Sequence, residues 1–340
     1  LSIRAARAWF GPGRAADDVQ VVCEDGVITY AGPATPIGAA DAELTVDGFL
    51  MPAVADRHVH IEMSDPSAVL RGGVTAVRDL GWPAARIFPL ADMSEMPSFD
   101  GPLIRAAGPM ITVRDGYPTR SGWAPEGAAR IVDGPDDAAE AVRDVASLGA
   151  AAVKLCLDAD AGPTLSDGEL MAACDAARDL DVPVTVHARG EGQVERALGA
   201  GVDELAHAPT TPLSEDVIAM CARSLRIVST LDAVSFGRDS AEVRAGLDNL
   251  RRFRDAGGTV IYGTDLGNGD VPPGIHLREV LLLVEAGLSG DDLLQALTRA
   301  PLDPDAPADL IVLGSDPLDD PNAFADLRLV VRAGRVVAET

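Results

Sequence analysis

The alternation of apolar and polar positions divides the chain into two β-rich ends and a mixed middle. Near the start, VQVVCEDGVITYAGP holds two short apolar runs on either side of Asp25-Gly26, a dipeptide that favours a tight hairpin turn. The end of the chain is similar: ADLIVLGSDP is followed by LRLVVRAGRVVAE, folded about Ala333-Gly334. The two ends are expected to meet in one small β-sandwich domain built from residues 1–50 and 306–340.

Residues 51–305 alternate between period-2 and helical patterns. Strands are predicted at Met51–Ala55, Val74–Arg78, Leu103–Ala107, Ala152–Leu157, Val182–Val186, Glu204–Ala206, Ile227–Thr230 and Val260–Gly263. Helices fall between them. Ser166 with Glu169 is a capping box, and Asp181-Val182-Pro183 ends that helix. Further helices are expected over Glu191–Leu198, stopping at Gly199, over Ser214–Arg223, and over Glu242–Asp255 before Gly257-Gly258. This succession predicts an α/β fold, a closed (β/α)8 TIM barrel, with a doubly wound open sheet as the alternative. The Pro- and Gly-rich stretch Gly108–Gly134 reads as a long loop after the third strand.

Composition narrows the function. The chain has 340 residues, 47% of them hydrophobic, enough for a large core. Its 53 Asp and Glu outnumber 28 Lys and Arg, a net charge of −25 that repels nucleic-acid backbones. The most apolar run, Glu279–Leu288, is too short to span a bilayer and carries two Glu, so no membrane partner is expected. The opening LSIRAARAWF lacks the features of a signal peptide. Cys23, Cys156, Cys174 and Cys221 are widely spaced in apolar contexts and read as buried free thiols of a reducing compartment, with a cytoplasmic location expected.

The chemistry-bearing residues gather at predicted strand ends. His58 and His60 form H-x-H after an apolar strand, an alternation that puts both on one face. His187 follows VPVTV, His207 follows DELA, Asp265 follows VIYGT, and Lys154, the only lysine, lies in AAVKLCL. The C-terminal strand ends are where barrel active sites are built. Neutral imidazoles and a carboxylate suit zinc-like ions. A lysine cation cannot bridge two of them, but CO2 converts it to an anionic carbamate with one oxygen for each ion.

These segments resemble the amidohydrolase superfamily, in its imidazolonepropionase-like and prolidase-like branch. The likeness runs through MPAVADRHVH, LRGGVTAVRDLG, AAVKL, VHARG, ELAHAP, GTDLGNG with PPGIHLREVLLLVEAGLS, and ADLIVLGSDPL. It implies two divalent ions, with zinc as the expected metal. His58, His60 and Asp265 would hold the more buried ion, His187 and His207 the more exposed one, and carboxylated Lys154 would bridge them together with a hydroxide. Asp265 would act as general base and then general acid. The implied activity is hydrolysis of a C–N bond in a small amide substrate such as a dipeptide or N-acyl amino acid. Cyclic-amide hydrolysis and dehydrating ring closure use the same site chemistry. A mononuclear deaminase is disfavoured by Lys154 and by the position of Glu191, four residues past His187. A non-catalytic assembly module would have lost ligands, and none is missing.

The chain also departs from the family pattern. Only DPDAP separates TRAPL from ADL, AHAP stands where Glu-His-Gly is common, and Arg189 of HARG stands where many peptidase-like relatives have Tyr. Candidate substrate contacts are Arg189, Tyr117 and Arg120 of DGYPTRSGW, and His276 of PPGIH. Asp79 is expected to support an imidazole N–H, while Trp82 and Trp123 either line the pocket or pack. The sequence leaves self-association open.

Overall fold

The computed structural model describes residues 1–35, 42–235 and 237–339. The chain opens with strands β1 (Ser2–Trp9), β2 (Ala15–Glu24), β3 (Val27–Pro33) and β4 (Glu43–Pro52). The middle carries β5 (Val54–Val59), β6 (Val74–Asp79), β7 (Leu103–Ala106), β8 (Met110–Thr112), β9 (Ala129–Ile131), β10 (Val153–Asp158), β11 (Val184–Arg189), β12 (Glu204–Leu205), β13 (Arg226–Val228) and β14 (Thr259–Ile261). The chain ends in β15 (Leu310–Leu313), β16 (Leu327–Arg332) and β17 (Arg335–Glu339).

Both predicted terminal hairpins form. Asp25 and Gly26 have φ of 48° and 84°, and Ala333 and Gly334 have 47° and 72°, the left-handed pair that a two-residue hairpin turn requires. Among the described residues the terminal strands hydrogen-bond as one continuous seven-stranded sheet in the order β17-β16-β15-β4-β1-β2-β3, whose ends approach each other where Ala308 N donates to Gly26 O (2.9 Å) and Gly334 N to Ala308 O (3.0 Å). The reason is β4, which pairs parallel with β1 on one edge and antiparallel with β15 on the other. Both faces of this sheet are apolar. Leu50, Leu310, Val312, Leu329 and Val331 pack with Ile3 and Val21 in a core of their own. Their alternates Phe49, Met51, Ile311 and Val330 join the main core.

The middle strands are all parallel and form two arcs, β5-β6-β7 and β14-β13-β12-β11-β10-β8-β9, so the fold is α/β and barrel-like without one unbroken ladder. The chain just after the predicted third strand explains the first seam. It breaks at Gly108, whose φ is 77°, and Pro109, which has no N–H to donate. β7 stays with β6 and β8 pairs with β10, while a bond from Ala151 N to Ala106 O (2.8 Å) crosses the gap. The stretch read as a loop therefore contains β8 and β9, paired in parallel. At the other seam, Asp265 N donates to His58 O (2.8 Å) and His60 N to Leu266 O (2.7 Å).

The helices follow their sequence punctuation. Ser166 and Glu169 form the reciprocal capping box, and Ser214 and Ser240 cap Glu215–Ser224 and Ala241–Asp255. The helix placed before Gly199 instead spans Gln193–Ala200 and ends at left-handed Gly201. The four cysteines are free and buried. Among the described residues no helix is long and apolar enough to cross a membrane.

Gly263 sits where the second seam is tightest. A Cβ there would lie 2.3 Å from Val228 Cγ1 and 3.2 Å from the His58 backbone nitrogen. Gly263→Ala is expected to destabilise the fold by about 1–3 kcal/mol through overpacking, read as a lower denaturation midpoint. Val228→Ala in the same chain should restore part of that loss.

Candidate functional site

The site is assembled across the second seam. Asp56, His58 and His60 follow one another at alternate positions at the end of β5. The buried Asp56 carboxylate accepts from His58 N (3.0 Å), Thr264 N (3.1 Å) and the Thr264 hydroxyl (2.5 Å). Burial pushes Asp56 up to about 7, against those bonds. This clamp sets the chain leading into Asp265, whose φ of 57° is left-handed and unusual for a non-glycine residue. Asp265 Oδ1 then lies 3.3 Å from both His58 Nε2 and His60 Nε2. Burial alone would raise Asp265, but the imidazoles of His58, His60 and His207 hold it well below the usual carboxylate range.

The six predicted residues converge. The His207 ring centroid is 4.6 Å from that of His58 and 4.7 Å from that of His187. His58, His207 and Asp265 offer three ligand atoms that all lie within 4.8 Å of one another. Lys154 is buried, and its Nζ has no hydrogen-bond partner among the described residues. Burial lowers it to about 8, opposed by Cys156 and Asp265. It is the second residue of β10, further from the strand's C-terminal end than the sequence reading implied, so its long side chain starts deeper than the histidines. Burial lowers His58, His187 and His207, favouring neutral rings, and the Lys154 charge adds to this.

Each imidazole has one nitrogen committed. His58 Nδ1 faces Ala206 O (2.8 Å), His60 Nδ1 faces Gly81 O (3.1 Å), and His207 Nδ1 faces the Thr230 hydroxyl (2.9 Å). His187 uses Nε2, at 2.9 Å from Asp158 Oδ2. The other nitrogen of each ring is left for a cation. Asp79 supports His60 indirectly: its carboxylate accepts from Ile61 N (2.8 Å) and Gly81 N (3.1 Å), holding the backbone whose carbonyl meets the ring. The expected direct bond to an imidazole is therefore replaced by a backbone clamp.

A cleft of about 480 Å³ opens over His187, His207 and Asp265. Tyr117 and Arg189 line it, and Tyr117 stacks on His187 at 4.6 Å and 22°. Both residues also border an adjoining hollow of about 340 Å³ that contains Arg120. Arg189 is loosely held, 3.6 Å from Asp160 and 3.9 Å from Glu242, whereas Arg120 pairs with Asp115 at 2.7 Å. His276 does not line the cleft. Its Nε2 lies 2.6 Å from Asp232 Oδ2, beside Arg278, so an ion-pair network takes the ring that was expected to meet substrate. Trp123 lies against His60 at 4.6 Å, while Trp82 is buried in the core. Glu191 is exposed and lies outside the cleft lining. Sequence reasoning missed Asp56 and Asp158. Both occupy alternate positions on strands that carry a predicted ligand, the one signal that pointed to them.

Known proteins resemble this chain in sequence and in fold. An uncharacterized protein of Mycobacterium tuberculosis is 28% identical over 344 residues, covering 88% of each chain. The crystal structure of a Xaa-Pro dipeptidase with bound methionine superposes with a TM-score of 0.83 at 21% identity, over 100% of this chain and 99% of that one. Aspergillus niger ochratoxinase superposes at 0.84 with 19% identity, over 99% of this chain and 95% of that one. These two share its fold. Residues 49–337 match the model of the amidohydrolase family, and the chain belongs to that family of hydrolases acting on carbon–nitrogen bonds.

Proposed function

We propose that the chain is a dinuclear metal-dependent amidohydrolase that cleaves the C–N bond of a small amide, a dipeptide or an N-acyl amino acid. The observation that carries this reading is Lys154, a buried amine in the company of four imidazoles and a carboxylate, with no hydrogen-bond partner among the described residues. An unpaired buried ammonium is costly. Lowered to about 8, the group reaches its neutral form easily, and a neutral amine adds CO2. A C–N bond forms, one proton is released, and the product is an anionic carbamate with two oxygens.

The donor set then fits two divalent ions, with zinc suited to imidazole and carboxylate ligands. His58, His60 and Asp265 would hold one, His187 and His207 the other, with carboxylated Lys154 between them. When bound, such a pair polarises a carbonyl and makes a shared water acidic near neutral pH. Asp265, held ionised by its imidazole neighbours, accepts a proton from the attacking water and returns it to the leaving nitrogen. Tyr117 walls the cleft beside His187, and Arg189, loosely paired at its rim, can turn to a substrate carboxylate. We read the two arcs of parallel strands as parts of one (β/α)8 barrel over residues 51–305, with residues 1–50 and 306–340 as the small β domain.

Metal analysis of the purified protein should give about two divalent ions per chain. Lys154→Ala should lower that number and abolish amide hydrolysis, with partial return on adding a short carboxylic acid; full activity in the variant would overturn the bridge assignment. In a screen of dipeptides, N-acyl amino acids and lactams, Arg189→Met should raise KM about 10- to 100-fold for carboxylate-bearing substrates, with kcat little changed. An unchanged KM would remove Arg189 from substrate binding.

A further inference from the structure

Of the four site histidines, three lean on neutral partners: His58 and His60 on backbone carbonyls, and His207 on the Thr230 hydroxyl. His187 faces the carboxylate of Asp158 at 2.9 Å, and both side chains are nearly buried. That carboxylate is held from behind. Its Oδ1 accepts from Asp160 N (3.1 Å) and Ala161 N (3.0 Å), which leaves Oδ2 for the ring. Strand alternation explains its position. Lys154, Cys156 and Asp158 share one face of β10, and the register sets Cys156 opposite His187, so Asp158 stands one step further toward the cleft. Tyr117 stacks on the imidazole, and ring and carboxylate have little freedom to part.

We infer that Asp158 is a positioning residue that holds His187 in the tautomer protonated at Nε2, leaving the Nδ1 lone pair for a cation in the cleft. An ionised carboxylate pinned on its other oxygen can only accept at Oδ2, so the hydrogen must sit on Nε2. The carboxylate also strengthens the electron donation of the ring, so the ion held by His187 binds more tightly than a neutral partner would allow. The strand that supplies Lys154 thereby also tunes the neighbouring histidine. This step rests on the proposed metal site.

The test compares Asp158→Asn with Asp158→Ala in the full-length protein. An Asn that keeps its oxygen on Asp160 N and Ala161 N must turn its NH2 to the ring, which favours hydrogen on Nδ1 and blocks the donor. Ala leaves the ring free to choose. Zn2+ titrated into chelator-stripped protein against a chromophoric competitor should show the weaker of two sites lowered by about 10- to 100-fold in Asp158→Asn and by less in Asp158→Ala. Nitrogen-15 histidine spectra of the stripped protein should show His187 protonated at Nε2 in the wild type and at Nδ1 in Asp158→Asn. A merely structural role predicts the opposite order, because Asn fills the same space and keeps the loop bonds. Ala weaker than Asn, or an unchanged His187 tautomer in Asp158→Asn, would overturn the inference. If the wild type took up no zinc, the dinuclear reading would fall, and the tautomer measurement would still decide the role of Asp158.

Discussion

The buried carboxylate of Asp56 ties the first parallel strand to the segment after the last. It receives the His58 amide, the Thr264 amide and the Thr264 hydroxyl, and so binds β5 to the turn that delivers Asp265. Backbone bonds from Asp265 to His58 and from His60 to Leu266 run along the same seam. The left-handed backbone of Asp265 is tolerated because these bonds over-determine it. Without this seam His58 of β5, His60 just after it and the carboxylate opposite would belong to separate arcs, and the remaining groups would have nothing to converge on.

Charge in the site is arranged around burial. The imidazoles of His58, His187 and His207 biased to the neutral form, a carboxylate kept ionised and an amine depressed toward neutrality are all consequences of removing water from groups whose partners are unevenly distributed. Burial pushes Asp265 and Lys154 in opposite chemical directions. For Asp265 the neighbouring imidazoles win, and for Lys154 burial wins. A hydrolytic site needs this pattern, since ligands must present lone pairs and a proton acceptor must stay ionised.

The cleft adds a different logic. Its base is formed by side chains on strand ends, held to fixed partners, whereas its rim carries Arg189, loosely held between two acids. Rigid groups at the base suit chemistry, and a loosely paired cation at the rim suits recognition of an anionic group. His276 shows how burial can withdraw a group from this economy: once its ring is committed to Asp232, it serves the scaffold under the cleft.

Much of this was legible in the sequence. Period-2 runs, the Asp25-Gly26 and Ala333-Gly334 turns, the Ser166 capping box and the H-x-H after an apolar run each depend on a few adjacent residues, so local pattern determined them. The sequence also pointed to Lys154, His187, His207 and Asp265 as a set, because strand ends of one parallel sheet meet whatever joins them. Tertiary structure decided the rest. Whether β4 separates two sheets or joins them depends on which strands flank it, and the break at Gly108-Pro109 becomes a seam only because β10 takes β8 as its neighbour. The partners of the imidazoles, Asp158 for His187 and the Gly81 carbonyl for His60, come from other strands and turns. Lys154, the lone lysine, is where the two meet. Sequence alone singled it out, but only the packed fold left its amine without a hydrogen-bond partner among the described residues and lowered it toward the neutral form.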